Sequence, residues 1–499
     1  MRVKNASGQG TCRIPPFGGW QGKRTGGIKP LRAVFRQIKW MVPRKLLSLI
    51  LSLSMGCSLS VRSSLDPYHV PKAWRAEEGL KGRFRVVGPS QLRRWWEVFD
   101  DHGLSQLIER ALEGNPSVKE ALSRVARVRA EKRAELSGTW PRVSLSWSGR
   151  RDMSEGGSSS AFGTEVEISW EVDALARLSD RLKAQRAEIE VAEEEVHEAK
   201  ALLAAEVAEN YFEVLAAMQR QKLLEGLLER AEERARLLEV LFGQGLRDRF
   251  ELERAYLEIE ALRRQIHEAR KEVEEAEDRL CVLLGKPPGT LRLTEPKGLP
   301  SVPSEVLLLL PVDAIRTRPD VRRAERQVLL AQASLGLSKL DRLPSLSLTG
   351  ALGLHGPRLV DLVSRPTRLA ELAAYFGLVL FQGGGLKYEE EAKRAGLEEA
   401  KARYEGVVLS ALKEVEGCLL EVSSKAEALS SLEGSMERMA SLKDMSMARF
   451  RAGLGDYLEV LDAETELGSL KVQWLQTRLE YLKAVVKLYK ALGGGWWDE

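Results

Sequence analysis

The sequence predicts a mostly α chain with a membrane β-barrel, in which a few short strands per chain join those of other copies and long helices form a second, water-exposed tube. Three observations predict it: long proline-free helical stretches, short alternating strands set between helices, and the same order of elements met twice in 499 residues. Composition agrees, since 30% charged, 6% aromatic and 44% hydrophobic residues suit helices with a heavily solvated surface better than a compact globule.

The chain opens with a Gly-, Arg- and Lys-rich stretch, residues 1–40, that has neither helical nor strand periodicity and is read as an extension upstream of the true start. From Met41, a basic patch (Arg44, Lys45), an apolar run from Leu46 to Leu53 and small residues before Cys57 make a secretion signal too short to span a bilayer. Ser54-Met55-Gly56-Cys57 resembles a bacterial lipobox, with Ser54 where leucine is usual. Acyl chains on Cys57 would each add about 0.8 kcal/mol of membrane affinity per buried methylene, and Ser58 after the cysteine favours the outer membrane by resemblance to lipoproteins. That covalent lipid is the only prosthetic group expected.

Asn115-Pro116 opens a helix that ends before Pro141, and Arg318-Pro319 opens one that ends before Pro344. Proline suits both positions, because it lacks an amide proton and disfavours helix in the residue before it. Alternation follows each closing proline: Val143, Leu145 and Trp147 against serines, then Leu346 and Leu348 against Ser345, Ser347 and Thr349. A Gly/Ser-rich loop, Glu155 to Ser160, leads to a second strand at Phe162 to Glu171, and its counterpart is expected at Ala374 to Gln382.

Residues 178–242 and 386–452 then run without proline, helices of about 100 Å at 1.5 Å per residue. Each ends in a matching turn, Phe242 to Leu246 and Phe450 to Leu454, with Gly245 and Gly453 as natural C-cap residues. A return helix with apolar residues three and four apart follows each turn, over 246–284 and from Leu458 to Tyr489. A short opening helix and a return helix placed end to end nearly equal one long helix.

Four strands cannot close a membrane barrel, since the smallest have about eight and open edges are not tolerated in lipid. Closure therefore needs other chains, and three would supply a twelve-stranded barrel. Runs such as Glu193-Glu194-Glu195 and Glu389-Glu390-Glu391 must meet water while the apolar seams meet neighbours, as the staves of a water-filled tube do.

Other function classes find little support. Residues 1–56 hold eleven Lys or Arg and no acid, so the net charge of +4 leaves the remainder at −7, and no basic stripe for nucleic acid is present. Cys12, Cys57, Cys281 and Cys418 are too scattered for a zinc site. The five histidines include no HExxH pair, and no nucleophile elbow or phosphate loop occurs, so neither an enzyme nor a metal site is expected. Gly383-Gly384-Gly385 lacks the Lys-Ser/Thr of a phosphate loop.

Trp95 to Phe99 (WWEVF), Ser169 to Arg177 (SWEVDALAR), Arg318 to Val328 (RPDVRRAERQV), Gly453 to Glu464 (GLGDYLEVLDAE) and Leu488 to Trp496 (LYKALGGGW) stand in one order. With them the chain resembles the outer-membrane factor family, the TolC-like and OprM-like efflux ducts, over essentially residues 57–497. The resemblance implies a homotrimer in the outer membrane of a Gram-negative bacterium: a twelve-stranded barrel, a periplasmic helical barrel and an equatorial belt. It implies docking of a periplasmic adaptor on tips at Gly245, Leu246, Gly453 and Leu454, with an inner-membrane transporter supplying the energy. The implied periplasmic aperture is Leu458, Glu459 and Asp462.

Glu459 and Asp462 share a helix face, and three copies would gather six carboxylates on one axis. The bracing arginines of the family are missing at Thr465 and Gly455, and Phe450 stands where a latch tyrosine is found, so closure is expected from Leu458 and from repulsion more than from ion pairs. The chain divides into 41–56 (lipoprotein signal), 57–114 (lipidated segment and equatorial region), 115–285 (first repeat), 286–317 (Pro-rich equatorial linker), 318–492 (second repeat) and 493–499 (tail). The main reading is a passive exit duct of a tripartite pump. The alternatives are the outer-membrane component of a type I protein secretion system and a periplasmic adaptor, which would carry one hairpin rather than two.

Overall fold

The computed structural model describes residues 70–75, 84–154, 157–172, 175–293, 298–303, 305–364 and 366–494. Cys57 and the proposed signal lie outside them. The description below concerns the unit Leu59–Glu499.

The elements run in two successions. The first is β1 (Phe84–Val86), two short 3-10 turns (Pro89–Leu92, Trp95–Phe99), α1 (His102–Gly114), α2 (Pro116–Ser137), β2 (Arg142–Ser154), β3 (Gly157–Val172), α3 (Leu175–Gly243) and α4 (Arg249–Leu283). The second is β4 (Val306–Leu308), α5 (Pro311–Thr317), α6 (Pro319–Leu340), β5 (Ser345–Gly356), the one-turn α7 (Asp361–Ser364), β6 (Thr367–Gly377), α8 (Gly385–Arg451) and α9 (Tyr457–Ala491). Corresponding helices match in length: α2 and α6 have 22 residues each, α4 and α9 have 35 each, and α3 and α8 have 69 and 67.

Proline starts α2 and α6 as expected, and Asn115 completes the first start by accepting a hydrogen bond from the Ser117 amide at 2.7 Å. The same asparagine donates from Nδ2 to the Leu283 carbonyl at the end of α4, 2.8 Å away. In the second half Arg318 takes this place: its guanidinium donates to the Ala491 carbonyl at 2.7 Å, while Thr317 Oγ1 donates to that of Leu492 at 2.8 Å. Each short helix thus begins where its return helix ends, and the pair lies end to end.

Helix α3 contacts α2 and α4 on one side and α6 and α9 on another, whereas α8 contacts α6 and α9. The stave order is α2/α4, α3, α6/α9, α8. Burial follows that order. The middle of α3 is enclosed at Ala204, Val207, Ala208 and Phe212, while α8 buries only the stripe Leu397, Val408, Ala411, Val415, Leu419, Val422 and Leu429.

The strands form one antiparallel sheet in the order β2-β3-β5-β6, with the central pair joining the two halves. β2 and β3 pair from Arg142↔Ser169 to Ser154↔Gly157. The expected loop at 155–160 is therefore shorter, because Ser158, Ser159 and Ser160 are already in strand opposite Met153, Asp152 and Arg151. The last strand also differs. It spans Thr367–Gly377 rather than Ala374 to Gln382, because β5 begins at Ser345, immediately after Pro344, and Ser345↔Gly377 is the last pair it can offer. The apolar run Leu378 to Phe381 drew the sequence reading too far, since only the sheet partner determines where a strand stops.

A second, two-stranded sheet pairs β1 with β4 in parallel (Phe84↔Val306), so the segment 286–317 read as linker contributes one strand. It packs into the largest core. There Trp95 lies 5.7 Å from Tyr489 and edge-on to Phe99 and Trp96, and Phe99 meets Phe212 at 5.1 Å.

Candidate functional site: the helical tips and the two-faced sheet

Both tip turns close with the same hydrogen bonds. The Leu246 amide donates to the Leu241 carbonyl and that of Gly245 to Phe242, each at 2.9 Å; Leu454 donates to Arg449 and Gly453 to Phe450, also at 2.9 Å. The glycines sit at φ +71° and +73°, the left-handed conformation this helix ending requires. An aspartate then starts each return helix: Asp248 accepts from the Glu251 amide at 2.9 Å, and Asp456 from that of Leu458 at 3.1 Å. The geometry leaves Leu246 66% and Leu454 73% exposed, and Phe250 is exposed beside the first turn. Arg247 of the first tip donates to Asp456 of the second at 2.8 Å, so the two tips are tied together. The two contacts of Arg247, with Asp456 first and Glu251 second, raise its pKa.

The three residues expected at an aperture lie just inside this junction and differ in their surroundings. Leu458 is only 8% exposed and packs into the seam of the first hairpin with residues such as Leu238, Leu252 and Ala255. Glu459 faces Arg449 at 3.7 Å, and Asp462 meets Arg234 at 3.1 Å, with both carboxylates about half exposed. Arg234 also donates to Glu258 at 3.0 Å. One turn back along α3, Arg230 pairs with Glu233 at 2.9 Å and with Glu464 at 3.4 Å, and the Tyr457 hydroxyl donates to Glu233 at 3.0 Å. That hydrogen bond holds the Tyr457 phenol above its usual pKa.

Within the protomer, ion pairs are present at this level. The arginines are present but come from α3 and from the last turn of α8, not from Thr465 or Gly455. Sequence reasoning missed the α3 arginines because α3 precedes α9 by more than two hundred residues. One signal was available, the i,i+4 repeat of Arg230 and Arg234 on one face of α3.

At the other end of the long helices, the pleat divides the sheet into two faces. Register places Val143, Leu145 and Trp147 of β2 with Val166, Ile168 and Trp170 of β3, Leu348 and Leu352 of β5, and Leu372 and Phe376 of β6. The opposite face carries Ser144, Ser146 and Ser148 with Glu165, Glu167 and Glu171 of β3 and Glu371 of β6. The apolar face is exposed, and no described helix is long and apolar enough to cross a membrane. Strands β2 and β6 each keep one edge unpaired.

Comparison with known proteins agrees with this arrangement. The family described as outer membrane efflux protein matches over residues 107–286 and 310–494. The chain is 28% identical over 465 residues to the probable efflux pump outer membrane protein SepC of Pseudomonas putida, covering 90% of this chain and 96% of that one. It is 27% identical over 471 residues to the cation efflux system protein CusC of Escherichia coli, covering 91% and 100%. Among solved structures, the outer-membrane channel OprN superimposes with a TM-score of 0.77 at 27% identity, over 88% of this chain and all of that one. The matched residues hold all six long helices and the whole four-stranded sheet, and the chain belongs to the outer membrane efflux protein family.

Proposed function

We infer that this chain is the outer-membrane exit duct of an efflux or export pump, a passive conduit with no chemistry of its own. The observation that carries the reading is the pair of unsatisfied edges. The sheet ends in unpaired β2 and β6, and the stave order ends in α2/α4 on one side and α8 on the other. An open strand edge is not tolerated in lipid, and two unlike edges that meet head to tail, with a rotation that closes, leave no edge open in a ring of copies. Three copies give a barrel of the smallest sizes that leave a lumen, with the serines and glutamates inside and the apolar face on lipid. The two halves, alike in helix lengths and in their end-to-end joints, are read as a duplication.

The remaining assignments extend this reading. Cys57 carries the lipid anchor. The exposed Leu246 and Leu454 at the tips dock a periplasmic adaptor, which links the duct to an inner-membrane transporter. Glu459 and Asp462 narrow the periplasmic end, held by Arg449 and Arg234, while Leu458 seats α9 on the first hairpin.

Conductance across planar bilayers tests it. The protein beginning at Cys57 is expected to form cation-selective channels, and Glu459→Ala/Asp462→Ala is expected to raise conductance and remove block by a divalent cation. Channels indifferent to the double substitution would discard the aperture assignment. Folded protein that forms no channels, even when substituted, would overturn the duct.

A further inference from the structure

The two ends of the apolar sheet face differ in charge. On β2 the residues of that face run Val143, Leu145, Trp147, Gly149, Arg151 and Met153; on β6 they run Phe376, Ala374, Leu372, Ala370 and Arg368. Pairing of Arg151 with Ser160 and of Arg368 with Leu354 places both arginines toward the hairpin end, away from the long helices. The β5–β6 connection adds Arg358 at the same end, followed by the exposed Leu359, Val360 and Val363, the last 89% exposed. All three arginines are exposed, and none has an ion-pair partner among the described residues. At the helical end this face carries Trp170 and Phe376 and no cation.

We propose that the hairpin end of the sheet, through Arg151, Arg358 and Arg368 with Leu359, Val360 and Val363, is a binding surface for lipid headgroups of the surrounding leaflet that carry phosphate monoesters and a net negative charge. The proposal rests on the membrane placement of the sheet argued above. From Trp170 to Phe162 the apolar face spans nine residues of β3, about 26 Å along the strand and about 20 Å across a bilayer at the usual tilt, so the arginines fall at the headgroup level. A guanidinium offers two parallel donors to a phosphate and is weakly hydrated, while its stem stays in the apolar layer. The exposed leucine and valines supply the apolar contact beside each headgroup. In a ring of copies, the arginines of β6 and of the next β2 would stand on neighbouring strands and share one lipid.

Native mass spectrometry of the full assembly tests this, with a bisphosphorylated lipid A as probe and with phosphatidylcholine and inorganic phosphate as comparisons. Lipid A is expected to bind, with Arg151→Gln/Arg358→Gln/Arg368→Gln weakening it at least tenfold and Arg142→Gln, on the polar face, leaving it unchanged. Equal retention of lipid A by the triple variant, equal binding of phosphatidylcholine, or displacement by millimolar inorganic phosphate would each overturn the proposal. If the triple variant fails to assemble, the single variants and the salt dependence of the unaltered protein decide, with no weakening between 0.1 and 0.5 M salt, on the order of the physiological range and above, counting against it. Conductance separates the two readings: channels from the triple variant with lipid binding lost support both, whereas an unaltered protein without channels speaks against the duct and not against the arginines.

Discussion

Two glycines with nearly the same backbone show what a residue's surroundings add. Gly453 ends α8 at φ +73° with nothing within 4 Å of where a Cβ would stand, whereas Gly493 ends α9 at φ +77° with a Cβ position 2.9 Å from the Thr317 carbonyl carbon and 3.0 Å from the Arg318 backbone. The close approach exists because Arg318 and Thr317 cap the last carbonyls of α9. Arg318 is buried, and its guanidinium is satisfied further by Asp320 at 2.7 Å and Glu414 at 2.6 Å. Burial opposes the charge on Arg318, but these two carboxylates outweigh it and raise its pKa. Gly453→Ala is expected to cost about 1 kcal/mol, the strain of a left-handed alanine. Gly493→Ala should cost distinctly more, since backbone must move as well. Denaturant unfolding of the detergent-extracted protein checks the difference.

At the scale of elements, the apolar seams between helices are flanked by ion pairs. Glu213 of α3 meets Lys483 of α9 at 2.6 Å and Arg279 of α4 at 2.7 Å, and Glu480 of α9 meets Lys425 of α8 at 2.6 Å. Burial disfavours the Glu213 carboxylate, but Lys483 and Arg279 outweigh it, and its pKa falls below the ordinary value. The hydrogen bond from Lys425, followed by that from Gln476, lowers Glu480 likewise. A carboxyl whose pKa is lower in the folded state stabilises fully above its unfolded value, about 4.3, and loses that contribution as pH falls through the lower folded value. Helix packing is therefore expected to weaken between neutral pH and about pH 3.5. Glu213→Gln/Glu480→Gln should be less stable at pH 7 and lose less on acidification, as read from urea midpoints at the two pH values.

For the whole molecule, the decisive feature of the proposed duct is that one chain supplies only part of it. Val282 near the end of α4 is 57% exposed and Leu420 of α8 is 62% exposed, on the two unlike edges of the stave order. In a closed ring each edge covers the other. Val282→Glu and Leu420→Glu should each reduce the oligomer to single chains, because one buried unpaired carboxylate per interface is costly, while leaving helical content unchanged. Mass measurement in detergent together with circular dichroism checks both halves of that expectation. An oligomer that survives both substitutions would place the contact between copies elsewhere.

Much of this fold is legible in local pattern. Proline position, helix length, the two Gly-Leu tips and the alternation of β2 follow from backbone sterics and side-chain period, which act within a few residues. The lipid expected on Cys57 rests on sequence alone, since that residue lies outside the described ones. Contacts across long separations were not legible. The true span of β6 depends on where β5 begins, the burial of Leu458 on the seam of the first hairpin, and the partner of Asp462 on an arginine of α3. The sequence by itself determined the long helices, their order and their lengths, because those are local energies. Only the tertiary structure decided strand register, the pairing of Asp462 with Arg234 and the edges left open, because each is set by what another part of the chain brings into contact.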